Sequence, residues 1–372
     1  MSDGVSDGPT RIAILGCGFI GTVHSYSLRS LIGGGLADAV VVSACDVDVD
    51  RARATLDAHG PGRATDDLDQ ALEGVDAAWV CTPTAMHRQV VERCVAHGVA
   101  IYCEKPLAKN LASALEIFRM VDEAGLPNQV GLVLRYAPPF SALASICQGQ
   151  PVVGAPGPEV LGRPIASVLR DDQFFPIGGM YRSTWRGDVD VAGGGTLIEH
   201  SIHDVDALSW MFGPVVSVTA RTQNNAGHPG IEDVAAVTFA HSSGAISTLL
   251  SVWHGLESRP STRRLEVFFE KAHVVLENEQ LGPVMIEHAG GPTDLGISEN
   301  ASELMNRLPV PDALRPQILA YAGSDLAFLA ALAGGFAPEP GLAVAVEAHR
   351  VVEAAYRSAA LGGEPLILAE CD

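Results

Sequence analysis

The chain has 372 residues, room for two domains of ordinary size, and 47% of them are apolar, so a sizeable core can form. Against 24 basic residues stand 44 acidic ones, a formal net charge of −20. Such a field repels phosphate backbones and anionic lipids, which excludes nucleic acid and membrane surfaces as partners and favours a neutral polyol over a strongly anionic substrate.

Met1 to Pro9 is polar, with neither a basic n-region nor an apolar h-region, so no signal peptide is expected. No run of about 18 apolar residues is apparent that would span a bilayer. Arg11–Leu15, Val40–Cys45, Ala77–Cys81, Ala100–Cys103 and Gln129–Leu134 are short apolar runs with little alternation, as strands buried on both faces require. Between them Ile20–Leu31, Val47–His59, His87–His97 and Leu111–Ala124 carry helical periodicity. The alternation predicts an α/β, doubly wound parallel sheet in a first domain, residues 1–134. Ligands bind such sheets at the carboxyl ends of the strands. The expected rim is therefore Gly16, Asp46, Thr82-Pro83, Glu104-Lys105-Pro106 and Arg135-Tyr136.

Gly16-Cys17-Gly18-Phe19-Ile20-Gly21 follows the first strand and opens a helix. Gly16 permits the tight turn, Gly18 lets a pyrophosphate approach the backbone, and Gly21 lets the helix pack close to the strand. The helix N-terminus then offers N–H groups and a positive dipole end to phosphates. Asp46, at the end of the second strand, can accept from the ribose hydroxyls of adenosine and would repel a 2′-phosphate, so NAD is expected over NADP. Its alternative role is to cap the following helix.

Pro151–Pro164 reads as a Pro/Gly loop. From about residue 214 the texture becomes β-rich: Val215–Thr222, Ala235–Ala240, Ala245–Val252, Arg264–Phe269 and Ala272–Glu277 predict an open, mostly antiparallel sheet in an α+β second domain, residues 135–372. Trp253, Phe268 and Phe269 are candidates for an exposed face of that sheet or for packing on helices. The seven cysteines, at 17, 45, 81, 94, 103, 147 and 371, include no C-x-x-C pair and point to neither a disulfide framework nor a zinc clasp; a reducing cytoplasm is expected.

At Glu104-Lys105-Pro106 the chain resembles the Gfo/Idh/MocA family of sugar and polyol dehydrogenases. The resemblance extends to Cys81-Thr82-Pro83-Thr84-Ala85-Met86-His87, to Arg135-Tyr136-Ala137-Pro138, and to Trp185-Arg186 ahead of Gly193-Gly194-Gly195-Thr196-Leu197-Ile198-Glu199-His200-Ser201-Ile202-His203. It covers residues 11–213 and, more loosely, 323–368.

The resemblance implies an NAD-dependent oxidoreductase acting on a secondary hydroxyl of a sugar, glycoside or cyclitol. Gly16, Gly18, Phe19, Ile20, Gly21, Asp46, Thr82, Pro83, His87, Glu104 and Lys105 would bind the cofactor. Lys105 would touch both the nicotinamide ribose and the reacting hydroxyl and stabilise developing alkoxide, and the bond before Pro106 is expected to be cis. His203 would be the base that takes the hydroxyl proton. Glu199 stands where the family usually has aspartate; four residues before His203, it would share that residue's helix face. Arg135, Tyr136, Trp185, Arg186, Glu199 and His200 would contact substrate, the indole as a platform for a sugar ring. Asp204 and Asp206 would cap or pair nearby. The family uses the second-domain sheet to form homodimers or homotetramers.

Two other classes fit parts of the pattern. One is a nucleotide-binding sensor without chemistry; the other is a metal-assisted hydrolase using Glu199, His200 and His203, which leaves the glycine turn unexplained.

Overall fold

The computed structural model describes residues 8–179 and 181–368. Most of the polar N-terminal stretch, residues 1–7, and Cys371 lie outside the described residues. The chain divides into two compact units, one of Met1–Val133 with Glu303–Val346 and one of Leu134–Ser302 with Glu347–Asp372.

The first unit holds a six-stranded sheet: β1 (Thr10–Leu15), β2 (Ala39–Cys45), β3 (Arg63–Thr65), β4 (Ala77–Val80), β5 (Ala100–Cys103) and β6 (Asn128–Val130), all parallel, in the order β3-β2-β1-β4-β5-β6. This is a doubly wound sheet with its order reversing at β1. Strand β3 is absent from the sequence reading because Arg63-Ala64-Thr65 is too short and polar to show as an apolar run. The expected fifth strand, Gln129–Leu134, ends early. Gly131 brings the chain against the Glu104 carboxylate, Leu132 N–H turns back to the Val130 carbonyl, and Val133–Tyr136 is a 3₁₀ turn. Arg135 and Tyr136 thus belong to the second unit, not to the rim of this sheet.

Trp79 on β4 stacks on Tyr102 on β5, ring centroids 5.6 Å apart, and Phe328 meets both edge-on. Phe328 comes from helix Arg315–Gly334. By length and composition alone that helical segment is apolar enough to cross a membrane, contrary to the sequence reading. Its polar residues explain its place: Ser324 bonds Tyr102 and Gln129, and Asp325 bonds His24 and Trp79, all inside the first unit's core.

The second unit carries a nine-stranded sheet: β7 (Pro164–Phe174), β8 (Val215–Gln223), β9 (Val234–His241), β10 (Ile246–His254), β11 (Thr262–Phe269), β12 (Ala272–Leu276), β13 (Val284–His288), β14 (Thr293–Leu295) and β15 (Leu366–Ile367). Its order is β14-β13-β12-β11-β7-β10-β9-β8-β15, antiparallel except for β7 beside β10. Central β7 escaped the sequence reading because Arg170-Asp171-Asp172 breaks its apolar pattern; Asp171 is buried there against Arg263. Trp253 and Phe269 face inward, 3% and 5% exposed, so they are not part of an open face, whereas Phe268 is exposed. The expected loop Pro151–Pro164 carries one helical turn at Pro158–Leu161 and ends at Pro164, where β7 begins.

Candidate active site

The register aligns Leu15 with both Cys45 and Val80, Val80 with Cys103, and Cys103 with Val130. The carboxyl ends of five strands are therefore level. Gly16, Asp46, Thr82, Pro83, Glu104 and Lys105 follow them on one rim.

The glycine turn has the stereochemistry its spacing predicts. Gly16 has φ +94°, and a Cβ there would strike the Cys81 carbonyl and the Thr82 nitrogen. A Cβ on Gly21 would strike the Gly16 carbonyl, while one on Gly18 would meet nothing within 4 Å. Helix Phe19–Gly33 starts at Gly18 with no side-chain cap and no acid in its first turn, so Phe19, Ile20 and Gly21 stand at an uncapped positive helix end. Asp46 Oδ2 accepts the Cys17 N–H at 2.8 Å, and Oδ1 accepts from Asp48 N–H at 2.9 Å and lies 3.3 Å from Arg51. Helix Val49–Asp57 is capped by Asp48, so Asp46 is not its cap. The open backbone at Gly18, the uncapped helix end and a carboxylate beside the turn fit a dinucleotide with free ribose hydroxyls. The Thr82 hydroxyl is buried without a hydrogen-bond partner on this rim.

Behind the rim, His24 is fully buried. Its Nδ1 lies 2.8 Å from Asp325 and its Nε2 3.0 Å from Glu104. Burial alone would lower the imidazole pKa; the Asp325 and Glu104 carboxylates outweigh it and raise it to about 10. Glu104 Oε2 also accepts the Lys105 N–H at 3.2 Å, and the Lys105–Pro106 bond is cis. His87 is buried with its ring between the Thr82 carbonyl, 2.9 Å, and the Leu107 carbonyl, 3.2 Å, so its side chain ties the third rim position to the segment after Lys105. Burial pushes the Cys81 and Cys103 thiols far up, which leaves them inert.

In the second unit the glycine run has a packing cause. Gly193 has φ +89°, a Cβ on Gly194 would meet the Tyr356 hydroxyl and Ile198, and one on Gly195 would run into the Glu232 backbone. Glu232 caps the following turn: it accepts Gly195 N–H at 2.7 Å, Leu197 N–H at 2.9 Å and the Tyr356 hydroxyl at 2.9 Å.

That turn corrects the expectation for Glu199 and His203. Helix Thr196–Glu199 stops at Glu199, His200 and Ser201 form a turn, and a new helix runs Ile202–Phe212. Ser201 N–H bonds the Thr196 carbonyl five residues back, which breaks the i, i+4 ladder. Glu199 and His203 therefore do not share one continuous helix face. Glu199 is buried and paired with Arg186, whose guanidinium also lies over the Trp185 ring, 4.8 Å from its centroid. Structure thus brings Trp185, Arg186 and Glu199 together. His200 turns to Asp171 and Arg263. His203 is 7% exposed on the first turn of the new helix. Arg135 is held bidentately by Asp206, at 2.9 and 2.7 Å, over the Trp210 ring. Asp204 bonds Arg263. Both aspartates are pushed upward in pKa by burial, Asp204 to about 7. Tyr136 closes the 3₁₀ turn after Arg135.

Sequence reasoning missed His24, Asp325, Asp171, Arg263 and Glu232. Only His24 left a local trace, an imidazole within the apolar helix of the glycine turn; the others pair across long sequence separations. Among the described residues no group of three or more His, Cys, Asp or Glu side chains is arranged to hold a metal ion.

Residues 10–132 match the model of the oxidoreductase family with an NAD-binding Rossmann fold, and residues 159–275 match the GFO/IDH/MocA C-terminal domain. An inositol 2-dehydrogenase of Rhizobium meliloti is 30% identical over 360 residues, covering 94% of this chain and 97% of its own. A solved oxidoreductase domain protein from Kribbella flavida superposes with a TM-score of 0.84 at 21% identity, over 98% of this chain and 100% of its own. A levoglucosan dehydrogenase solved with NADH and levoglucosan superposes with a TM-score of 0.81 at 18% identity, over 97% and 100%.

Proposed function

This chain belongs to the Gfo/Idh/MocA family of NAD-binding oxidoreductases, and on that premise we propose that it oxidises a secondary hydroxyl of a cyclic polyol (a sugar, glycoside or cyclitol) to the ketone. The observation that carries the reading is the level rim of the first unit. There the glycine turn, Asp46 and the Glu104-Lys105-Pro106 strand end follow aligned strand ends. In this reading the first unit holds NAD and the second holds substrate and forms the oligomer; the boundary expected at residue 134 fits, but Glu303–Val346 returns to the first unit and is no part of the substrate domain.

Bound NAD would accept the hydride. The chain's own residues do the rest. Backbone N–H groups at the helix end hold the pyrophosphate, and Asp46 takes the adenosine ribose hydroxyls. Lys105 places an ammonium against the developing alkoxide. His203 removes the hydroxyl proton. Trp185 offers its ring to the C–H face of a sugar, with Arg186, His200, Arg135 and Tyr136 as pocket walls. Glu199 acts mainly through Arg186. The names of relatives support the substrate class: one acts on inositol and another was solved with levoglucosan, both cyclic polyols.

The sheet of the second unit exposes Val168, Ile246, Leu250 and Phe268, an apolar face fit for a homodimer or homotetramer. The six described cysteines are free and buried, which suits the cytoplasm.

The test is a screen for NAD reduction over inositols, free aldoses, glycosides and deoxysugar nucleotides, with NADH binding measured in parallel. Turnover with at least one class is expected. Tight NADH binding with no turnover in any class would replace the enzyme by a nucleotide sensor.

A further inference from the structure

Ser201-Ile202-His203-Asp204 opens helix Ile202–Phe212 and has the spacing of a capping box. In such a box the serine hydroxyl accepts the N–H three residues on, and the acid there reaches back to the serine N–H. Neither bond forms. Ser201 is the N-cap residue but makes no side-chain cap. Its hydroxyl instead bonds Asp171 at 2.8 Å and Ser251 at 2.6 Å. Asp204 Oδ1 instead accepts from Arg263 Nε at 2.8 Å. A side-chain cap ordinarily stabilises a helix N-terminus, and this helix forgoes it at the turn that carries His203.

Both diverted side chains lead to the same place. Arg263 on β11 is buried and reaches Asp204 through Nε and Asp171 Oδ2 through Nη2, at 3.2 Å. His200 Nε2 lies 3.0 Å from Asp171 Oδ1 and 3.2 Å from Arg263 Nη2. Residues 200, 201 and 204, on both sides of His203, are thus pinned to one Asp171–Arg263 pair supplied by neighbouring strands β7 and β11. Glu279 completes the surroundings of Arg263, 3.8 Å from Nη1.

We infer that Arg263, with Asp171 and Asp204, is a positioning residue for His203: it fixes the turn that aims the imidazole, and it touches no substrate. This rests on the reading of His203 as the base. A base must be held to a fraction of an ångström, and a misplacement of about 1 Å can cost roughly 100-fold in rate. A local cap stabilises a helix but leaves its aim to the packing of its far face; three tethers to adjacent strands of one sheet fix the aim. The charge balance agrees. Asp171, Asp204 and Glu279 surround one guanidinium, and burial together with Asp171 pushes Asp204 to about 7 against the pull of Arg263, so Asp204 can hold a proton without losing its bond from Arg263.

The experiment compares Arg263→Lys, Arg263→Met and Ser201→Ala in the full chain. Three quantities are measured: kcat and KM on a substrate from the screen, NADH affinity by fluorescence, and the His203 ring resonances in protein labelled with [13C]histidine, assigned by their loss in His203→Gln. A positioning role predicts that kcat falls roughly 10- to 100-fold in Arg263→Lys and further in Arg263→Met. NADH affinity should stay within about twofold, since only the turn is disturbed, and the His203 resonances should shift or broaden. If Arg263→Met does not fold, Arg263→Lys and Ser201→Ala carry the comparison, Ser201→Ala through the His203 resonances. Wild-type His203 resonances and unchanged kcat in variants of lowered stability would make the network purely structural and overturn the inference. Normal turnover in His203→Gln would instead overturn the assignment of the base, and the resonances would still report whether Arg263 fixes that ring.

Discussion

Arg186 Nε lies 3.1 Å from Glu199 Oε2, and the carboxylate is the buried partner: the Glu199 side chain is 1% exposed, whereas that of Arg186 keeps 20%. The Glu199 carboxylate is thus spent on a guanidinium, which itself lies over Trp185. Removing one partner of a buried pair leaves an uncompensated charge, a loss on the order of 3 kcal/mol. Arg186→Met should therefore lower the denaturation midpoint clearly, and adding Glu199→Gln should restore most of it. A double-mutant cycle in urea measures the coupling; independent, additive effects would show that the pair is not the energetic unit described.

Lys105→Ala and His203→Ala should each lower kcat by at least about 100-fold, the scale of lost electrostatic or acid–base help. NADH affinity should separate them. Lys105 belongs to the cofactor-binding unit and its loss should weaken NADH; His203 belongs to the second unit and its loss should not. Stopped-flow turnover with parallel NADH titrations checks both, and near-normal kcat in both variants would remove them from the chemistry.

How far the sequence could be read depended on the range of the interactions. The glycine turn, Asp46, the Glu-Lys-Pro strand end and five of the six parallel strands, the last with its end misplaced, were legible because each is a local pattern of apolar run and turn. The second sheet was half legible: Val215–Gln223 and its neighbours show alternation, but central β7 hides behind Arg170-Asp171-Asp172, whose buried acid is paired with Arg263, 92 residues away. The shared face of Glu199 and His203 was inferred from helical spacing, and a turn at His200–Ser201 that no periodicity announces undid it. Trp253 and Phe268–Phe269 show the same limit, since only strand register decides which of two adjacent aromatics faces out.

On the outer face of the second sheet Leu250 and Phe268 are exposed by 41% and 40%. Charges there should oppose association and leave the interior untouched, because neighbouring residues Leu249 and Phe269 carry the packing. If the proposed homo-oligomer uses this face, Leu250→Glu with Phe268→Glu should turn it into monomer in light scattering, with an unchanged far-ultraviolet circular dichroism spectrum. Wild-type protein that scatters as a monomer would exclude this face as an oligomer contact.

Asp46 has two tasks in the structure: it supports the Cys17 N–H of the glycine turn and holds Arg51 at 3.3 Å. Asp46→Ala removes a charged acceptor, a loss of about 1.5–3 kcal/mol, so kcat/KM for NAD should fall roughly 10- to 100-fold. The same change leaves Arg51 held by Asp48 alone and removes the charge that repels a 2′-phosphate, so NADP should gain relative to NAD. Unchanged kinetics with both cofactors would take Asp46 out of the site.

His24 gives the cofactor unit a pH dependence of definite sign. In the folded chain its pKa is about 10 against an unperturbed 6.5, because Asp325 and Glu104 outweigh its burial. Between those values the native state holds a proton that the unfolded chain has released, so stability must fall as pH rises. The contribution is complete below about 6.5 and is lost as pH passes through about 10. Within this window one proton corresponds to a slope of about −1.4 kcal/mol per pH unit. His24→Gln carries no titrating ring there, and the difference between the two proteins isolates it from the other histidines. Urea denaturation at several pH values from about 6.5 to 10 should therefore show a steeper decline in the parent than in His24→Gln, the two curves approaching each other at the alkaline end. Equal slopes would mean that the buried ring is neutral and that Glu104, the residue behind Lys105, is held without an ion pair.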